Sequence, residues 1–165
     1  MSAPSGKSRP YCHIYTEKHW QISYIKDSVR FFKALPIIAP FGSILSFEGH
    51  DSAPTFQRFL RAYSVKTRID AFASHPGWNE QIHFADTFAK DFADFLFNHP
   101  KGFYHPGKWK FTHVHGFSAS GKMLFWFHDA FTGGFLALNQ DMSAARVRRF
   151  CSKLGPEYFL SDSTV

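Results

Sequence analysis

Apolar positions along the chain fall into short alternating and helical rhythms, and these divide it into a succession of elements. Trp20 to Ile25 reads as a short strand. From Asp27 the spacing turns helical: Asp27 or Ser28 can cap the free amides, Val29, Phe32 and Leu35 lie near one face, and Pro36 discourages continuation. Ser43 to Phe47 (SILSF) alternates as a strand does, and Glu48 to Ser52 (EGHDS) reads as a turn. Phe56, Phe59, Leu60 and Tyr63 then recur at helical spacing behind a cap at Asp51 or Ser52. Val65 to Ala71 sets Val, Thr, Ile and Ala against Lys, Arg and Asp, which predicts a half-buried strand, and SHPGWNE follows as a loop.

The clearest helix runs from Phe84 to Asn98, with Phe84, Phe88, Phe92 and Phe95 as its apolar stripe and Pro100 as its stop. After the loop KGFYHPGK, strands are expected at Trp109 to Phe117, Lys122 to His128 and Gly134 to Leu138, together a meander. Ser143 caps a last helix on which Val147, Phe150, Cys151 and Leu154 share a face, and Gly155 with Pro156 ends it. A short strand follows at Glu157 to Leu160. Residues 1–10 are small, polar and proline-containing, which predicts a disordered tail ahead of one globular domain over residues 11–165. The expected class is α+β: an antiparallel or mixed sheet, including a C-terminal three-strand meander, packed against about four helices.

Composition narrows this picture without changing it. A chain of 165 residues suits a single core. With 44% hydrophobic and 19% charged residues it is neither a disordered polyelectrolyte nor a disulfide-dense miniature. Cys12 and Cys151 lie far apart without CxxC spacing, which suits free thiols and a cytoplasmic location. No apolar run approaches the length of a membrane span, so no membrane association is expected. The net charge of +6 favours anionic partners in a general way. Its densest group, Arg146, Arg148, Arg149 and Lys153, reads first as a solvated helix face and second as a nucleic-acid footprint. The 21 phenylalanines imply an aromatic core, and an exposed cluster of them would mark a partner surface.

Candidate chemistry concentrates in Phe111 to Phe131, FTHVHGFSASGKMLFWFHDAF. Its meaning depends on hairpin register, because side chains alternate faces. If Ala119, Ser120 and Gly121 form the loop, Gly121 supplies a left-handed conformation and Ser118 pairs with Lys122. His113 then stands opposite Phe127, and Phe111, His113, His115 and Phe117 share a face with Met123, Phe125, Phe127 and Asp129. His128 falls on the other face, with Thr112, Val114, Leu124 and Trp126. A loop of opposite parity exchanges His128 for Asp129.

The metal ligands expected are therefore His113, His115 and Asp129, with His128 as the alternative third ligand, around a divalent ion such as zinc. The leading reading of these histidines is nonetheless structural: half-buried rings bonded to backbone or water. A metal-free reading makes His128 and Asp129 the catalytic candidates, the carboxylate orienting the ring for proton transfer. Against it, sequence neighbours on a strand usually point to opposite sides. Glu48, His50 and Asp51 follow a strand, where functional groups often gather, yet read first as a turn with a helix cap; convergence of His50 with the hairpin is what would join them to a metal site. KGFY at Lys101 to Tyr104 only begins like an RNA-binding strand, and no P-loop, dinucleotide fingerprint or GxSxG elbow occurs.

The leading expectation is a cytoplasmic binding or regulatory protein acting through a protein partner or as a homo-oligomer. The alternative is a small metal-dependent, hydrolase-like enzyme using the hairpin site. A nucleic-acid-binding domain is the third.

Overall fold

The computed structural model describes residues 18–23, 25–49, 54–69, 77–98 and 111–155, and the backbone of 158–161. The tail, Cys12, His50, the cap at Asp51 or Ser52, the KGFYHPGK loop and Pro100 lie outside the described residues. The elements are β1 (His19–Ser23), α1 (Ser28–Ala34) with a 3-10 turn (Leu35–Ile37), β2 (Ile44–Gly49), α2 (Pro54–Arg61), β3 (Trp78–His83) and α3 (Asp86–Asn98). They continue with β4 (His113–Phe117), β5 (Met123–Phe127), β6 (Phe135–Asn139), α4 (Ala144–Leu154) and β7 (Tyr158–Ser161). Among the described residues seven strands form one sheet in the order β3-β2-β4-β5-β6-β1-β7, and every neighbouring pair is antiparallel. The class is α+β, and β4, β5 and β6 make the meander.

Local chemistry explains most of these boundaries. The Asp27 carboxylate accepts from the Arg30 amide and starts α1, and Ser143 does the same from Arg146 for α4. Gly155, at φ 84, closes α4 by donating its backbone N–H to the Cys151 carbonyl. The inward stripe of α1 is Ser28, Phe31, Phe32 and Leu35, the full i, i+3, i+4, i+7 set, so Val29 turns out to 39% exposure instead of joining the core.

Two expectations about the middle of the chain are corrected. WNE, read as loop, begins β3, and α3 starts at Asp86 because Phe84 still pairs with the sheet: its amide donates to Ser43 and its carbonyl accepts from Gly42. The strand expected from Val65 is instead one bridge, Ser64 to Ile82, and a segment held along β3 by a side chain. Gln81 accepts from the Ile69 amide at 2.8 Å and donates to its carbonyl at 3.0 Å, replacing ladder bonds with an amide side chain.

The sheet has two unlike faces. Leu45, Phe47, Ile82, Val114, Phe125, Phe127, Leu136 and Leu138 point to one side, where the buried side chains of all four α-helices join them in one cluster. Its interior is largely phenylalanine, with rings meeting edge to face as their quadrupoles favour: Phe32 and Phe92 are 4.6 Å apart at 83°. Gly116 leaves room for this packing, since a Cβ there would lie 2.1 Å from the Phe125 ring. The other side holds a small cluster of Ile44, Val65, Phe117, Met123, Trp126 and Ala137, and between them a polar array.

Candidate metal and acid–base site on the polar face

The array is built by register. Ser46 pairs with Gln81 on one side and with His115 on the other, and His115 pairs onward with Trp126. One row over, Glu48 lies between Asn79 and His113. Because residues in register share a face, these two rows place Ser46, Glu48, Gln81, His113 and His115 together, all at 2% exposure or less. Asn79 ties the rows by donating to Ser46 Oγ at 2.7 Å and to Glu48 Oε1 at 3.5 Å.

The hairpin begins as its turn chemistry dictates. Gly121 takes φ 86, its amide donates to the Ser118 carbonyl, and Ser118 pairs with Lys122. Then the register shifts: Phe117 faces Met123, but Gly116 faces Phe125, so Leu124 is an extra residue on β5. The expected pairing of His113 with Phe127 is thereby replaced by Val114 with Phe127. One step further along, His128 comes against His113, with ring centroids 4.5 Å apart. Trp126 and His128 therefore lie on the polar face, while Phe125 and Phe127 turn to the core.

Asp129 does not leave the site in exchange. It has φ 44, a left-handed conformation that ends the strand and folds the side chain back. Its Oδ2 lies 3.1 Å from His128 Nδ1 and its Oδ1 lies 4.0 Å from His113 Nδ1. Its amide donates to His113 Nδ1 at 3.1 Å. Alternation failed as a guide to the His128 and Asp129 contact because residue 129 is no longer in a strand. Gly134 makes the turn compact, since a Cβ there would fall 1.8 Å from the His128 carbonyl oxygen.

His113, His128 and Asp129 each offer one ligand atom within 4.8 Å of the others. Atoms shared by one tetrahedral ion stand about 3.3 Å apart, given metal–nitrogen bonds of about 2.0–2.1 Å, so modest closure is required. His113 is buried and the other two are half-buried, which leaves the solvent side for a further ligand. His115 stands apart from this group, its ring 6.3 Å from that of His113 and its Nδ1 3.7 Å from Glu48 Oε1. Neither His115 nitrogen has a hydrogen-bond partner among the described residues. Burial, and after it the neighbouring His113 and His128, pulls its pKa down to about 3. His115 is thus a neutral ring at ordinary pH.

Glu48, which the sequence reading weighs with His50 and Asp51 and assigns to a turn, is instead a buried strand residue of this face. Extending the alternation of Leu45, Ser46 and Phe47 by two residues puts it on the face of Ser46. Comparison of the chain with protein-family models, curated proteins and solved structures returns no match.

Proposed function

We propose that this is a divalent-metal-dependent enzyme of hydrolase-like chemistry, with zinc or a similar ion held by His113, His128 and Asp129. The observation that carries the reading is the convergence of two imidazoles and a carboxylate within 4.8 Å at the end of one hairpin. Two nitrogens and one oxygen suit a borderline ion, and three protein ligands leave a position where bound water is acidified toward neutral pKa. Elemental analysis of the untagged chain, followed by zinc titration, tests it. One equivalent of bound metal is expected, with affinity falling at least tenfold in His128→Ala. Absence of stoichiometric metal, and no change after chelation, would overturn it.

A second reading, a binding protein acting through a protein partner or a second copy, draws on the helical side. A groove of about 260 Å³ between α1 and α3 is lined by Val29, Phe32, Lys33, Phe41, Ala93 and Leu96. Val29 and Phe41 beside it are 39% and 48% exposed, and Phe97 at the end of α3 is 82% exposed. Sedimentation of the chain against a Phe41→Asp variant tests self-association, and a monomer at every concentration removes that form of it. Nucleic acid is the third partner suggested by charge, through the exposed Arg148, Arg149 and Lys153 of α4, with salt-sensitive RNA retention as its readout. A cytoplasmic setting fits all three. Among the described residues no helix is long and apolar enough to cross a membrane.

A further inference from the structure

We infer that the turn over residues 128–134 and the metal site exclude one another's present geometry, so that metal binding switches the turn. This rests on the metal reading above. A neutral imidazole carries one N–H and one lone pair. In this structure His113 Nδ1 accepts the Asp129 amide at 3.1 Å, so the neutral ring carries its proton on Nε2. A metal bound through Nδ1 takes that lone pair from the amide. A metal bound through Nε2 requires the proton to move to Nδ1, which then has no lone pair to offer. Either way the Asp129 amide must leave His113, with no net proton gained or lost by the ring.

The turn is built to have such a second state. Asp129 and Phe131 have φ of 44 and 65, left-handed for two residues that are not glycine, and such conformations persist only where surrounding contacts impose them. Those contacts are nameable. Ala130 donates its amide to the Thr112 carbonyl at 2.9 Å, and the Asp129 carbonyl accepts from the Thr132 amide at 3.1 Å and from its hydroxyl at 3.0 Å. The Phe131 ring is clasped by Phe127 at 4.9 Å and Phe31 at 5.5 Å. The closed state is therefore held by the core on one side and by the imidazole on the other, and an ion competes with only the second. Oxygen-seeking ions such as magnesium gain little from imidazole and leave the turn closed.

Nitrogen-15 NMR on the full untagged chain, with calorimetry, tests this using zinc chloride and magnesium chloride as probes. Before metal, His113 is expected as the Nε2–H tautomer and the Asp129 amide as protected from solvent exchange. With one equivalent of zinc, the His113 tautomer signature changes and Asp129 exchange rises at least tenfold, while magnesium does neither. Thr132→Val, an exposed position outside the ligand set, loosens the closed turn and is expected to tighten zinc roughly threefold to tenfold, the worth of one hydrogen bond. Stoichiometric zinc binding with the tautomer and Asp129 protection unchanged overturns the switch and leaves the metal reading standing. An Nδ1–H tautomer in the metal-free chain, or unchanged or weaker zinc affinity in Thr132→Val, also overturns it. No zinc binding by calorimetry overturns the metal reading itself, and the switch with it.

Discussion

On the helix-covered face of the sheet Leu45, Phe47, Val114, Phe125 and Phe127 are closed off by phenylalanine rings; one residue along the same strands, Ser46, Glu48, His113 and His115 are buried just as deeply. The two faces obey opposite energetics. Each ring on the first gains from leaving water, at roughly 25 cal/mol per Å² of apolar area. Each polar group on the second loses hydration and recovers it only where a partner is supplied. Asn79 and Ser46 recover theirs from each other, whereas the His115 nitrogens have none among the described residues. Burying such groups costs stability, while the aromatic face carries the fold.

The largest expected effect breaks the aromatic side. Phe31 is fully buried and its ring meets those of Phe32, Phe125, Phe127, Phe131 and Phe150. Phe31→Ala should cost about 3–5 kcal/mol in urea unfolding, since the void is walled by rings that cannot all collapse into it. A loss under about 1 kcal/mol would mean that this face is far less tightly packed than its geometry implies.

The polar side should announce itself through pH. His115 has a folded pKa of about 3 against an ordinary 6.5, so between those values the unfolded chain binds the extra proton. Stability is therefore full above about pH 6.5 and falls as acid is added down toward pH 3, by at most about 5 kcal/mol for this one group. Unfolding midpoints measured from pH 7 to pH 4 in wild type and in His115→Leu separate this term from other titrations. Identical slopes in the two proteins would show that the ring is not held neutral.

Two glycines sharpen the contrast between faces. Gly116→Ala drives a Cβ into the Phe125 ring, and Gly134→Ala drives one into the His128 carbonyl. Each should cost about 1–3 kcal/mol by overpacking. Only the second should also change the proposed zinc affinity, because only the second displaces the turn that carries His128 and Asp129. Equal zinc affinity in both variants would detach the ligand set from the turn.

These glycines also show what the sequence could and could not tell. Asp27, Ser143, Gly121 and Gly155 announced their caps and turn because each acts through its own backbone neighbourhood. Leu124 did not announce its bulge: whether a strand takes an extra residue is decided by packing across the sheet, where Phe125 must face the core over Gly116. That one residue moved His128 onto the face of His113, and the left-handed Asp129 then kept the carboxylate beside both. Glu48 was obscured for the converse reason. In a strand with one buried polar face its letters resemble those of a turn, and the start of β3 reads as loop through the same kind of polar residues, Asn79 and Glu80.

The smallest predicted change is the most discriminating between the faces. At pH 7 His115 is neutral and 1% exposed, and it brings two polar nitrogens inside with no hydrogen bond among the described residues. His115→Leu replaces the ring with an apolar group of similar size, removing the desolvation penalty while keeping contact with Phe117 and Trp126. Stability should rise by about 1 kcal/mol at pH 7, the opposite sign from any truncation on the aromatic face. A loss of about 2 kcal/mol or more would mean that the imidazole is hydrogen-bonded in solution. The polar face would then be a satisfied network, and its histidines would be structural before they were chemical.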